Sequence, residues 1–585
     1  MTASQRLFIV CLVFRTSLDG PATTQAAESL RPALRRPVAV ALAKDESFLV
    51  AANRDAGTLS LVGLSHNYAV TEVAIEGQPT DLTLFDRDQR LAVVDRRNSQ
   101  LVFLQRQDQQ WQIEHRQPLP HDPICMAWHP ESSRLFVTSL WSRTVSGLHV
   151  AVDNPTLAVR HHTSLRLPFE PRELAVTPAG ERLIVTDAFG GNLAIIDVAT
   201  WQLVGVHQPP GHNIRGLAFT DNGQTLMVAQ QILNPYAQSI FTDVHWGNMI
   251  NNVLVRYPVD KICDVTSTLV DHRHVLQLGE ASDAAGDPGP VVCGTDGELA
   301  VLYSGVHAVG VGRQDDLSTI YRVAVGRRPT AAVLGQTARL FVANMYDDSI
   351  SIVDVNTAEL LQTISLGPQR DRTSVEQGEE LFYDSRLAHA GWMSCHSCHS
   401  EGFTNGLRND NRSDLSFGAP KRVPSLLGVG STAPYAWNGQ TESLPHQVHA
   451  SITATMQGDE PRDEQVDAIA AYLESLPPPP VLPTETRSIE SIEAGRKLFH
   501  DLNCATCHQP PSYTSADTYD VGLQDEVGND HFNPPSLRGV GRRRTFFHDG
   551  RVTKLADVFI VHQHQLPREL SASEVATLES FLESL

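Results

Sequence analysis

"PTAAVLGQTARLFVANMYDDSISIVDVNTAELLQTISLG" runs from Pro329 to Gly367. A proline opens it, an alternating apolar run follows, and short polar turns separate that run from "LFVAN" and "SISIVDV". Alternation with a period of two belongs to a strand that buries one side. Related phrases are "PVAVALAKDESFLVAAN" from Pro37 and "PRELAVTPAGERLIVTD" from Pro171, and the full set begins near Pro37, Pro79, Pro123, Pro171, Ile214, Pro290 and Pro329. The steps are 42, 44, 48, 43, 76 and 39 residues. A period of about 40–45 residues with several short strands per unit is the signature of a β-propeller, because one small sheet cannot bury both faces and must stack on its neighbours. The reading is seven blades over residues 35–368, with the long step carrying an insertion in the fifth. That insertion, "QILNPYAQSIFTDVHWGNMINNVLV", is too polar and irregular to be a further blade. Its His245 and Trp246 read as parts of a packed loop rather than as functional residues. The Pro329 phrase, with "FVAN" and "SISIVDVNTAELLQTISLG", resembles the YVTN family of propeller repeats.

The chain has 585 residues, 41% hydrophobic and 19% charged, which is the balance of a folded protein with more than one core. A formal charge of −21 argues against nucleic acid or an anionic membrane surface as a partner. Residues 1–27 look like an export signal: Arg6 precedes the apolar run Leu7 to Phe14, and small residues follow near Thr24 to Ala27. No later apolar stretch has the length of a membrane span, so a periplasmic or otherwise exported protein is expected. In an oxidising compartment Cys263 and Cys293 are candidates for a disulfide, with Cys125 left over.

After Gly367 the strand pattern stops. "SVEQGEELFYDSRLAHAGWMSCHSCH" and "SIEAGRKLFHDLNCATCH" each set Gly-x-x-Leu-Phe on a helix ahead of Cys-x-x-Cys-His, and the break "LPPPPVLP" lies between them. The expected units are a first cytochrome c domain at 370–476, a linker at 477–485 and a second domain at 486–585, both mostly α-helical. Cys-x-x-Cys-His is the attachment motif of a c-type haem, in which each thiol adds to a vinyl group and the histidine ligates the iron. The candidates are Cys395, Cys398 and His399, then Cys504, Cys507 and His508. Zinc is the rival for such a cysteine pair, and the doubled motif behind an export signal argues against it. "RVPSLLGVGSTAPYAWNGQTESL" also aligns without gaps on "NPPSLRGVGRRRTFFHDGRVTKL", since Pro424, Trp437, Gly439 and Leu444 fall 111 positions before Pro535, His548, Gly550 and Leu555.

The haem motifs, the Pro-Ser-Leu turns and "HDGR" in this order make the region from about Arg370 to Leu585 similar to the di-haem bacterial cytochrome c peroxidases, including the MauG-type enzymes. The resemblance implies two covalent haems and a second axial ligand for the C-terminal iron a short helix after "HDG". His562 holds that position, with His564 as its rival. The offset counterpart of His562 is Ser451, a poor iron ligand, which implies an open N-terminal haem where peroxide reacts unless Met456 or His449 closes it. The family's distal pocket maps onto Trp437, between the haems, Gln447 and Gln457. At the last of these the family has a glutamate, so the general acid–base group is missing there. The calcium site often found between such domains has no clear match. A small cytochrome or cupredoxin is the expected electron donor, and peroxide or a protein docked on the propeller the expected substrate. The alternative is a non-enzymatic electron carrier whose propeller binds the partner.

Overall fold

The computed structural model describes residues 33–65, 67–107, 110–153, 156–483 and 487–585. The expected export signal, residues 1–27, lies outside them, as do two residues of the expected linker.

Seven antiparallel four-stranded sheets follow one another, each with its strands in sequence order. In the last blade these are Pro329–Leu334, Arg339–Asn344, Ser349–Asp354 and Glu359–Ser365. Burial follows strand position: the second strand is almost wholly buried, while the fourth alternates nothing and lies at the surface. Seven apolar clusters fill the seven gaps between neighbouring sheets, including the one that joins the last blade to the first through Leu49, Val62, Phe341 and Ile352. The ring therefore closes by packing, with no strand exchanged between its ends. Polar contacts reinforce that seam: the Arg36 backbone N–H donates to Asp348 Oδ1 at 2.7 Å and Thr330 Oγ1 donates to the Pro37 carbonyl at 3.0 Å.

The long step resolves differently from the sequence expectation. Gln231 to Leu233 and Ile250 to Val255 are strand, paired across Thr225–Leu233 and Ile250–Pro258. The extra residues form a loop at 234–249 with a short helix, Phe241–His245, then two more short helices, Val259–Cys263 and Leu269–His272, and a small hairpin at 279–284. Cys263 and Cys293 are free thiols, against the disulfide considered from the sequence. Cys263 packs between blades four and five and Cys293 between blades five and six, so the fifth sheet stands between them. Stacked sheets lie about 10 Å apart, beyond the reach of a disulfide.

The C-terminal region contains helices joined by long irregular segments, less helical than expected. The two Gly-x-x-Leu-Phe motifs have one structural reason. Gly378 on Ser374–Phe382 crosses Asp463–Ser475 so closely that a Cβ would lie 1.9 Å from the Ala468 carbonyl oxygen. Gly495 on Ile489–Asp501 meets Ala572–Leu582 in the same way, at 2.3 Å from the Thr577 carbonyl oxygen. Phe382 and Phe499, four residues on, are buried in the apolar cluster of each half.

The change of sequence pattern near Gly367 is no boundary in packing. The core of the first half includes Leu233, Val244, Met249, Met345 and Tyr346 from the propeller. Trp392, fully buried, donates its indole N–H to the His245 carbonyl oxygen at 3.1 Å. Gly247, at φ +69°, lies against that ring, where a Cβ would stand 2.5 Å from the indole. Farther round, Arg542 meets Glu170 of the propeller at 3.1 Å, both 1% exposed, and Arg544 pairs with Asp187.

Candidate functional site: two cofactor cavities

Ser394 begins the turn Cys395–Cys398, and the two residues between the cysteines point into the propeller rather than into solvent. The Ser397 hydroxyl donates to Asp287 Oδ1 at 2.6 Å, and its carbonyl oxygen accepts from the His212 imidazole at 2.9 Å. His396 packs on Tyr383, ring centroids 4.7 Å apart, and burial with nearby Arg215 keeps it neutral, far below the usual histidine range. The motif is thus clamped from the side away from its cavity.

Cys395, Cys398 and His399 line one large cavity and Cys504, Cys507 and His508 a second. His399 Nδ1–H donates to the Pro424 carbonyl oxygen at 2.9 Å, and His508 Nδ1–H to that of Tyr513 at 3.1 Å. Each bond fixes the tautomer and leaves Nε2 free to ligate. Burial pulls both imidazoles down to about 4, so both are neutral ligands. It also pushes the Cys395 and Cys398 thiols up to about 12 and Cys504 up to about 11. Among the described residues no three His, Cys, Asp or Glu side chains gather as a metal site. One imidazole and two neutral thiols on the wall of a broad apolar cavity fit a c-type haem, and they do not fit the thiolate cage of zinc.

Trp437 lines both cavities, as do Arg422, Asn533, Pro534, Pro535 and Arg543. Its indole N–H donates to the Arg422 carbonyl oxygen at 2.7 Å. On the first cavity stand Gln447, Ser451, Thr455 and Met456. Gln447 Nε2 donates to Ser413 Oγ at 3.2 Å and Ser451 Oγ at 3.1 Å, while its buried Oε1 has no partner. Here the helix widens into a π turn, with the Met456 N–H bonded to the Ser451 carbonyl oxygen at 2.9 Å, a distortion frequent at functional sites.

Three residues weighed for the site stand elsewhere. Gln457 does not line the cavity; its Nε2 donates to the Ser239 carbonyl oxygen at 3.1 Å and so ties the blade-five loop to this half. His449 is exposed and pairs with Glu460 at 2.6 Å, away from the first cavity. In the second half His562 is exposed on an outer surface groove, whereas His564 enters the cavity with His508, whose ionisation its charge opposes. Phe547 stands between them, edge-on to both rings at 5.3 and 5.4 Å. His548, the counterpart of Trp437, lines the second cavity and stacks on Phe532 at 4.3 Å. His245 and Trp246 lie in the blade-five loop, with His245 Nδ1 2.9 Å from His389 Nε2 and Trp246 exposed. Sequence reasoning missed Asp414 and Lys421, a buried pair 3.6 Å apart on the first cavity wall, with Lys421 also 3.1 Å from Asp525 of the other half. Their spacing carried no recognisable motif.

Two cavities, each with its own thiol pair and tautomer-fixed imidazole, define a di-haem c-type cytochrome joined to a propeller. Residues 372–477 and 489–583 match the family model of the di-haem cytochrome c peroxidases. That match supports a peroxidase-like haem oxidoreductase with two c-type haems in the C-terminal region. Cytochrome c551 peroxidase of Nitrosomonas europaea is 25% identical over 281 residues, 39% of this chain and 84% of the relative. Methylamine utilization protein MauG of Methylorubrum extorquens is 26% identical over 277 residues, 36% of this chain and 77% of the relative. Among solved structures, a Kuenenia stuttgartiensis hydrazine synthase chain aligns with 57% of this chain and 99% of its own, at 16% identity and a TM-score of 0.47. No helix among the described residues is long and apolar enough to cross a membrane.

Proposed function

We propose that this is an exported peroxidase in which peroxide reacts at the first haem and the second haem stores and passes electrons. The observation that carries it is the asymmetry of the cavities: the second holds His564 beside His508, and the first holds no imidazole besides His399. His399 and His508 would hold the two irons, and His564 rather than His562 would offer the C-terminal iron a second imidazole. A haem iron with a free coordination position supplies peroxide binding and its two-electron reduction. Two protons and two electrons then turn one peroxide into two waters.

The protein's own groups supply orientation and protons. Gln447, held by Ser413 and Ser451, presents its unpartnered Oε1 to a peroxide hydrogen. Gln457 has no proton to give and does not reach the cavity, so the titratable Asp414–Lys421 pair on the same wall takes the acid–base role, an effect of about 10²–10⁴-fold in enzymes generally. Trp437 lies between the cavities on the electron route. A small cytochrome or cupredoxin supplies the electrons, and the propeller is the surface for a protein substrate.

Met456 on the first cavity wall favours a second reading, an electron carrier with both irons closed. Electron paramagnetic resonance of the ferric protein separates the two. One high-spin and one low-spin haem in equal amounts supports the peroxidase; two low-spin haems unresponsive to peroxide and cyanide would refute it.

A further inference from the structure

Arg422 is 3% exposed, and it lines both cavities together with half-buried Arg543. Two neighbouring arginines are paired: Arg542 with Glu170, and Arg544 with Asp187. Arg422 and Arg543 are not. Arg422 Nε reaches the Phe547 carbonyl oxygen only at 3.4 Å, and its guanidinium carbon lies 5.1 Å from the Trp437 ring centroid. Arg543 donates to the Ser536 carbonyl oxygen. Burial lowers both, Arg422 to about 9 with Arg543 adding to the effect and Arg543 to about 10, and no acidic side chain acts against it.

The cavity walls offer no remedy. No Asp or Glu lines the second cavity, and the single one on the first, Asp414, faces Lys421. Two like charges on a desolvated wall without a counter-ion are strongly unfavourable, so the site is built for an anion that the polypeptide does not provide. A guanidinium fork matches a carboxylate in two parallel hydrogen bonds. The carboxylates that belong in these cavities are the propionates of the haems.

We infer that Arg422 and Arg543 form one carboxylate clamp shared by both cofactors, taking a propionate from each cavity across the wall that Trp437 completes. The inference rests on haems filling both cavities and is independent of which iron meets peroxide. A shared clamp also couples the haems, because each positive charge acts on both irons at once.

The experiment is a spectroelectrochemical titration of the full-length holoprotein, with resonance Raman spectra of the propionate bending bands. Arg422→Gln and Arg543→Gln should each lower both midpoint potentials, since loss of a positive charge favours the ferric state, and each should move the propionate bands. Arg422→Lys should restore most of the potential of both haems. Should Arg422→Gln not fold, Arg543→Gln, at the less buried position, carries the test. A shift confined to one haem, equal shifts for Gln and Lys at 422, or unmoved propionate bands would overturn the clamp. The spin states of the two irons test the peroxidase reading separately.

Discussion

The Trp437 indole donates its N–H to the carbonyl oxygen of Arg422, and the Arg422 guanidinium lies against the face of the same ring. One residue thereby fixes the edge and the face of the other. Both belong to the wall common to the two cavities. Trp437→Phe should keep both haems but slow electron exchange between them, seen after rapid mixing with a reductant. The lost hydrogen bond should cost about 1 kcal/mol of stability. Unchanged exchange would remove Trp437 from the electron route.

Intact mass under denaturing conditions should exceed that of the polypeptide by two haem masses. Cys395→Ala and Cys504→Ala should each lose stable attachment at one site only. A species without added haem after expression with a haem-maturation system would contradict the cavity assignment.

His564→Ala should abolish the low-spin ferric signal, while His562→Ala should leave it intact, because only His564 enters the cavity of His508. The opposite pattern would return the ligand to His562, the position that the family resemblance implies.

Glu170→Gln should strip Arg542 and Arg143 of a shared counter-charge, at a contact where Arg542 and Glu170 are 1% exposed. Breaking a buried pair this way costs about 3–5 kcal/mol, read as a lower urea midpoint. Replacing Glu170 and Arg542 together with methionine should recover only part of the loss, since Arg143, which also pairs with Glu170 at 2.7 Å, stays behind.

The contact of Asp187 with Arg544 should give this interface an acid limit. Burial opposes ionisation of Asp187, but Arg544 and its hydrogen bonds outweigh it and hold the carboxyl below its ordinary value of 3.8. A depressed folded value means that the stabilisation is complete above the unfolded value and fades as pH falls through the folded one. Asp187→Asn should therefore be destabilising at pH 7, and its difference from the wild type should shrink below about pH 4. A difference independent of pH would show that the ion pair does not contribute.

The propeller was legible because its signal is repetitive: seven phrases announced seven sheets, and the one long step marked the one elaborated blade. The two Cys-x-x-Cys-His segments stood out because covalent haem attachment demands such a spacing. Cys263 and Cys293 misled because sequence shows two thiols but not the sheet between them. His562 and Gln457 were placed by spacings that the family resemblance implies, and a spacing does not show which way a side chain faces: His562 lies on an outer groove and Gln457, past the π turn at Ser451, bonds to the blade-five loop. Arg422 and Arg543 were invisible because their neighbours belong to different halves, brought together only by the fold.

His396 and Ser397 are almost fully buried against the propeller, whereas the second attachment segment, around Cys504 to His508, is partly open. The four cysteines themselves are all half-buried, so the difference lies in what stands behind them: loosening the propeller should free the first segment and leave the second as it is.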